Sequence, residues 1–174
     1  VKRHQMPLAK NTEKRLGEIA PEIRHILDHP DFKRLKKFPR HGYTNTHDHS
    51  IRVAEVAVQL AEKMGVDKKS AARVGLLHDM CYVSYYKNRH IPKEERHPGM
   101  YAFYHPEEAA QNAKKFGLTK EELHAIRAHM FPLAVHMPKD RLGLVLTLSD
   151  KKVSAMECAY SFRKKMYHRK MEMR

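Results

Sequence analysis

The run Val74-Gly75-Leu76-Leu77 leads directly into His78-Asp79. An apolar stretch of that kind goes into a core. A carboxylate carried in with it is costly unless it is paired or holds a cation. Asp150 raises the same problem, because it interrupts the apolar series Leu142, Val145, Leu146, Ser149 and Val153. The fold must therefore bring positive charge to both carboxylates.

Histidines can supply the rest of such a site. The chain has 14 of them. His4, His25, His29, His90, His97, His124, His136 and His168 sit in polar surroundings and read as surface residues. His49, His78, His105 and His129 differ, since each falls at the start or end of an expected helix. Any one of these alone would read as an ordinary hydrogen-bonded residue. Taken together with Asp79 and Asp150, they read as a single metal site.

The helices follow from the spacing of apolar residues. Thr12 is expected to cap a helix carrying Leu16, Ile19, Ile23 and Ile26, with Pro21 kinking it or splitting it in two. Pro30 begins a short helical piece with Phe32, Leu35 and Phe38. Pro39 to Thr46 reads as a loop. A strong helix then starts at Thr46 or Asp48. It carries His49, Val53, Val56, Ala57, Leu60 and Met64 on one face and ends at Gly65. Asp67 caps the next, which delivers His78 and Asp79.

Lys87 to Met100 reads as a long loop. His105-Pro106 is expected to open a helix that ends at Gly117, and Thr119 with Glu122 forms a capping box for the next. From Lys139 a long helix has an expected inner stripe of Leu142, Val145, Leu146, Ser149, Val153, Met156, Ala159 and Tyr160, fraying beyond about Arg163. No strand is evident. The fold class is all-α, a bundle of about six to eight helices. One domain is expected over residues 1–174, with a core at about 40–160, N-terminal helices at 12–38 and a basic C-terminal helix end.

Composition narrows the function. With 34 Lys and Arg against 20 Asp and Glu, the net charge is +14, which favours anionic ligands. The basic residues are spread along the chain without the aromatic interleaving of a single-strand platform. Nucleic acid is therefore a possible partner but is not favoured over a small anionic phosphate compound. No apolar run approaches the ~20 residues that span a bilayer, and Val1 to Pro7 has no secretory h-region. The protein is expected to be cytoplasmic with no membrane partner, and Cys81 and Cys158 to be reduced thiols. The oligomeric state is not legible.

Imidazole and carboxylate together suit divalent Fe, Mn, Co, Ni or Zn. Without a thiolate among the candidates, a closed structural zinc site is disfavoured. Six ligands are many for one catalytic ion but suit two sharing a carboxylate. The strings HSIRVAEVAVQLAEKMGVD, AARVGLLHDM and LTLSDKKVSA, with His49, His78-Asp79 and Asp150 in that order, resemble the HD-domain phosphohydrolase superfamily over roughly residues 40–160. His105 and His129 resemble the additions of its six-ligand branch.

That resemblance implies a bundle of helices. It also implies one or two divalent ions (Mg added to the metals above), with His49, His78, Asp79 and Asp150 on the first. Asp79 would bridge to the second, which His105 and His129 would complete. A hydroxide between the ions would attack phosphorus in a phosphate ester or anhydride, most simply that of a nucleotide. Relatives that are di-iron oxygenases, or a non-catalytic nucleotide- or RNA-binding module, are the alternatives.

Many relatives continue the central motif to a lysine where this chain has Tyr82. Lys87, Arg89, Arg52 and Lys151 are candidates to replace its charge. With Asp79, Arg52 and Lys87 form the expected catalytic set. Arg127 and His41-Gly42 are further candidates for substrate contact. Cys81 reads as a small buried hydrophobe, and Tyr82, Tyr85 and Tyr86 as packing or the mouth of the site.

Overall fold

The structure is a computed structural model that describes residues 5–40, 43–82 and 101–172. The expected loop from Lys87 to Met100, which includes Arg89, lies outside the described residues, as do Tyr85, Tyr86 and His41-Gly42. The described residues form eight α-helices: α1 (Thr12–Ile19), α2 (Pro21–Asp28), α3 (Pro30–Arg34), α4 (Thr46–Met64), α5 (Lys68–Leu77), α6 (Tyr101–Ala113), α7 (Lys120–Ala128) and α8 (Arg141–Glu172). The all-α reading holds, with one small exception. The loop before α4 contains a two-residue antiparallel pairing of β1 (Pro39–Arg40) with β2 (Thr44–Asn45), in which Arg40 faces Thr44.

Local chemistry sets most boundaries. Pro21 splits the first apolar series into two helices and takes the first position of α2. Asn45 caps α4 by accepting the Asp48 backbone N–H at 2.8 Å. Gly65 ends that helix at φ 65°, in the left-handed region glycine enters at little cost. Asp67 caps α5 through the Ser70 N–H at 2.7 Å, and Thr119 with Glu122 forms the capping box of α7.

Three boundaries and one buried stripe depart from the sequence reading. Asn11, at φ 63°, occupies the cap position of α1. Thr12 is already helical, and its hydroxyl donates to the Ala9 carbonyl at 3.0 Å. Helix α6 starts at Tyr101, leaving His105-Pro106 inside it; a proline so near an N-terminus sacrifices a single backbone hydrogen bond. Helix α8 continues helical past Arg163 to Glu172. Its inner stripe also rotates, with Met156 46% exposed while Glu157 is 1% exposed.

Helix α4 is the central element and packs against α5 and α8. Ile51, Leu76, Leu77, Met80, Ile126 and Leu146 are fully buried around it, with Ile23, Phe32 and Leu35 from the N-terminal helices. Each such side chain contributes about 1.5–3 kcal/mol by leaving water. Among the described residues, no helix is long and apolar enough to cross a membrane.

The α4–α5 contact is closest at Gly75. A Cβ there would meet the Ala54 backbone at 2.5 Å. Glycine and alanine thus set the spacing of the helices that carry His49 and His78. Gly75→Ala is expected to lower stability by about 1–3 kcal/mol through overpacking, read as a lower urea midpoint. An unchanged midpoint would contradict this account of the spacing.

Candidate metal centre

Helix ends place most of the candidate ligands. His49 is in the first turn of α4, and His78 is the cap residue that closes α5. Asp79 follows in the turn beyond, whose backbone bonds run from Met80 N–H to the Leu77 carbonyl and from Cys81 N–H to the Asp79 carbonyl. Because α5 ends there, two adjacent residues can face one cluster. His129 closes α7 in the same way. His105 comes from α6, which the Asn112 side chain ties to the Met80 carbonyl at 2.8 Å. Asp150 comes from α8. Arg73 of α5 holds α7 in place through buried Glu122 at 3.1 Å and the Gly117 carbonyl at 2.8 Å.

All six residues meet in the interior. His49, His78, Asp79 and His129 are 0% exposed, His105 1% and Asp150 4%. The donor atoms of His49, His78 and Asp79 lie within 4.8 Å of one another, and so do those of Asp79, His105 and His129. Asp79 is common to both groups, and its oxygens divide the work. Oδ2 faces His78 Nε2 at 3.3 Å and His49 Nε2 at 3.7 Å. Oδ1 faces His105 Nε2 at 3.3 Å and His129 Nε2 at 3.8 Å. Asp150 joins the first group, with Oδ1 3.1 Å from His49 Nε2 and 3.7 Å from His78 Nε2.

Proton positions follow from the partners of the opposite ring nitrogens. His78 Nδ1 donates to the Gly75 carbonyl at 2.9 Å and His129 Nδ1 to the Ile126 carbonyl at 2.6 Å. A carbonyl only accepts, so Nδ1 carries the proton and Nε2 presents a bare lone pair to the cluster. His49 Nδ1 likewise donates to the Glu157 carboxylate at 2.9 Å. Burial lowers the pKa of His78 to about 4 and that of His129 well below the usual range. Burial would raise Asp150, but bonds to His49 and His78 and the charge of Arg40 hold it well below the carboxylate range.

Neutral imidazoles and ionised carboxylates are what a divalent ion requires. The separations fit as well, since ligand atoms bonded to an ion at about 2.0–2.2 Å stand roughly 3–3.5 Å apart. Asp79 Oδ1 and His78 Nε2 have no hydrogen-bond partner among the described residues, and Asp79 Oδ2 meets the Arg40 guanidinium. Buried polar atoms left so indicate a ligand.

The arginines are arranged differently from the sequence reading. Arg52 turns away from the cluster. Its Nη1 binds Glu157 Oε1 and Thr44 Oγ1, both at 2.9 Å, and Nη2 donates to the Met6 carbonyl at 2.5 Å. It neutralises the carboxylate that orients His49, an indirect role in place of the expected phosphate contact. Arg127 pairs with Glu107 at 2.6 Å on the surface. Lys151 approaches the centre, with Nζ 3.5 Å from the His129 carbonyl. Tyr82, in the lysine's place, lies under Arg34 at 5.0 Å and beside Phe38.

Sequence reasoning missed two residues. Glu157 was not among the residues of the expected inner stripe of α8, yet it is 1% exposed. Arg40 had been read only as part of a loop, yet its guanidinium pairs with Asp79 and approaches Asp150 at 3.7 Å. The one available signal was the excess of buried carboxylates over named cations.

The model of the HD domain family matches residues 46–155. The chain belongs to the HD domain family. Three curated relatives are ribonuclease Y proteins. That of Lawsonia intracellularis is 34% identical over 133 residues, covering 76% of this chain and 21% of the relative. That of Oleidesulfovibrio alaskensis is 30% identical over 125 residues, covering 70% and 21%. That of Desulforudis audaxviator is 35% identical over 105 residues, covering 58% and 18%. This HD chain therefore spans about a fifth of the length of the curated relatives it matches. No solved structure gives a significant match.

Glu157 offers a test of the support layer. Removing one partner from a buried pair leaves the other charge uncompensated, so Glu157→Ala should cost about 3–5 kcal/mol in urea unfolding. It should also weaken divalent-ion binding about 10–100-fold by releasing the His49 ring. Burial raises the pKa of Glu157, but His49 and Arg52 outweigh it and the net shift is down from 4.5. That contribution is intact above 4.5 and lost as pH falls below it, so the variant should lose this part of the acid sensitivity. Unchanged ion affinity would remove Glu157 from the centre.

Proposed function

We propose that this protein hydrolyses phosphodiester bonds in RNA, with divalent ions held by His49, His78, Asp79, Asp150, His105 and His129. One observation carries the proposal: a fully buried Asp79 whose two oxygens each face a different pair of histidines. That arrangement fits a pair of ions sharing a carboxylate, with His49, His78 and Asp150 on one side and His105 and His129 on the other. Mn, Fe, Co, Ni, Zn and Mg all fall within the chemistry of this donor set, the imidazoles favouring the transition metals. When bound, such ions polarise a phosphoryl oxygen and make water a stronger nucleophile.

The side chains of this chain perform the remaining tasks. Gly75, Ile126 and Glu157 fix the ring tautomers so that the lone pairs converge. Glu157 in turn is held by Arg52. Lys151 brings a positive charge beside His129. The net charge of +14 gathers a polyanion, and the likeness to ribonuclease Y proteins supports RNA over a mononucleotide.

The test is cleavage of a 5′-labelled single-stranded RNA by the purified protein with added Mn. Cleavage is expected, a chelator should abolish it, and Asp79→Asn should reduce it by more than about a hundredfold, beyond what support-layer changes cost. Salt-sensitive RNA binding without cleavage would point instead to a binding module. Hydrolysis of mononucleotides with RNA left intact would move the substrate class and keep the chemistry.

A further inference from the structure

Four other arginines pair with carboxylates outside the metal cluster: Arg15 with Glu55, Arg52 with Glu157, Arg73 with Glu122 and Arg127 with Glu107. Among the carboxylate-paired arginines of the described residues, Arg40 is the one that pairs inside the cluster. Its Nη1 pairs with Asp79 Oδ2, and its Nη2 stands 3.7 Å from Asp150 Oδ1. The side chain is 11% exposed, and the buried Nε has no hydrogen-bond partner. The guanidinium comes from β1, which is only two residues long and is held by its pairing with β2.

Asp79 Oδ2 is also the oxygen that His49 and His78 face. A carboxylate oxygen in a dry interior is a strong site for one cation. Two cations there would repel within a few ångströms, where the low dielectric magnifies the repulsion. Without any cation, Asp79 and Asp150 would be buried anions facing lone pairs, an arrangement that costs several kcal/mol per ion.

We propose that Arg40 is the built-in counter-ion of the centre, and that divalent ions bind by displacing its guanidinium from Asp79 and Asp150. The inference rests on the metal-binding reading above and concerns how that site is filled. Apparent ion affinity is then the outcome of a competition. The chain keeps its buried carboxylates neutralised without metal, at the expense of tighter binding when metal arrives. The arrangement explains how two buried carboxylates can sit in a folded core before loading.

The experiment is calorimetric titration of Mn into chelator-stripped protein, comparing wild type with Arg40→Gln. Displacement predicts that the variant binds Mn at least about tenfold more tightly. Equal or weaker binding overturns it. A variant that folds only when Mn is present also supports it, because its carboxylates then lack a counter-ion. Should the variant fold under neither condition, the wild type decides by phenylglyoxal labelling read by mass spectrometry. Arg40 should be protected when stripped and reactive once Mn is added, and unchanged protection overturns the proposal. Wild type that binds no Mn removes the metal reading together with this one. Wild type that binds Mn while Arg40→Gln binds no tighter removes only the displacement.

Discussion

A carboxylate with no exposed surface has to be neutralised on both of its oxygens, and Asp79 is such a carboxylate. Oδ2 turns to His49 and His78, and Oδ1 to His105 and His129. Those residues come from the turn after α5 and from α4, α6 and α7. The convergence of these ligands on one side chain therefore ties together most of the bundle. The close Gly75–Ala54 approach, the Asn112 bond to the Met80 carbonyl and the buried Arg73–Glu122 pair all hold these helix ends in place. Charge is handled in layers around this point: Asp150 beside the first pair of histidines, Glu157 behind His49, and Arg52 behind Glu157.

The inner ring of this arrangement was legible in the sequence. His49, His78, Asp79, His105, His129 and Asp150 stand at helix termini or interrupt apolar runs, positions where a polar residue needs a reason. Periodicity and capping residues gave the helices, including the split at Pro21 and the capping box at Thr119. His105 was found on the wrong premise, since it sits inside α6 and not at its start. What mattered was its place on the buried side of that helix.

The supporting charges were not legible, for a physical reason. Glu157 fell outside the expected inner stripe because α8 rotates past Val153, turning Met156 outward and Glu157 inward. Its partners lie 108 and 105 residues away, and no local pattern encodes such a pairing. Arg52 was placed near the right site with the wrong task. One turn from His49, it was equally suited to a substrate and to a carboxylate behind the ring, and only the position of Glu157 decides. Arg40 belongs to a pairing of two short strands, below the length at which alternation of residues carries a signal.

The distances along the chain also bear on how the molecule folds. Helices α4 and α5 are neighbours in sequence and can pack as soon as both exist. The contacts of His49 with Asp150 and Glu157 span 101 and 108 residues, and contacts of that range form late. Until α8 docks, the partly folded core holds Arg52 without Glu157. An unpaired cation facing an apolar interior is a poor resting state, so the last helix is drawn in by charge as well as by Val145, Leu146 and Val153. A nascent chain that has reached α7 already possesses five of the six inner residues, and the arrival of α8 brings the sixth, Asp150, together with the Glu157 that stands behind His49.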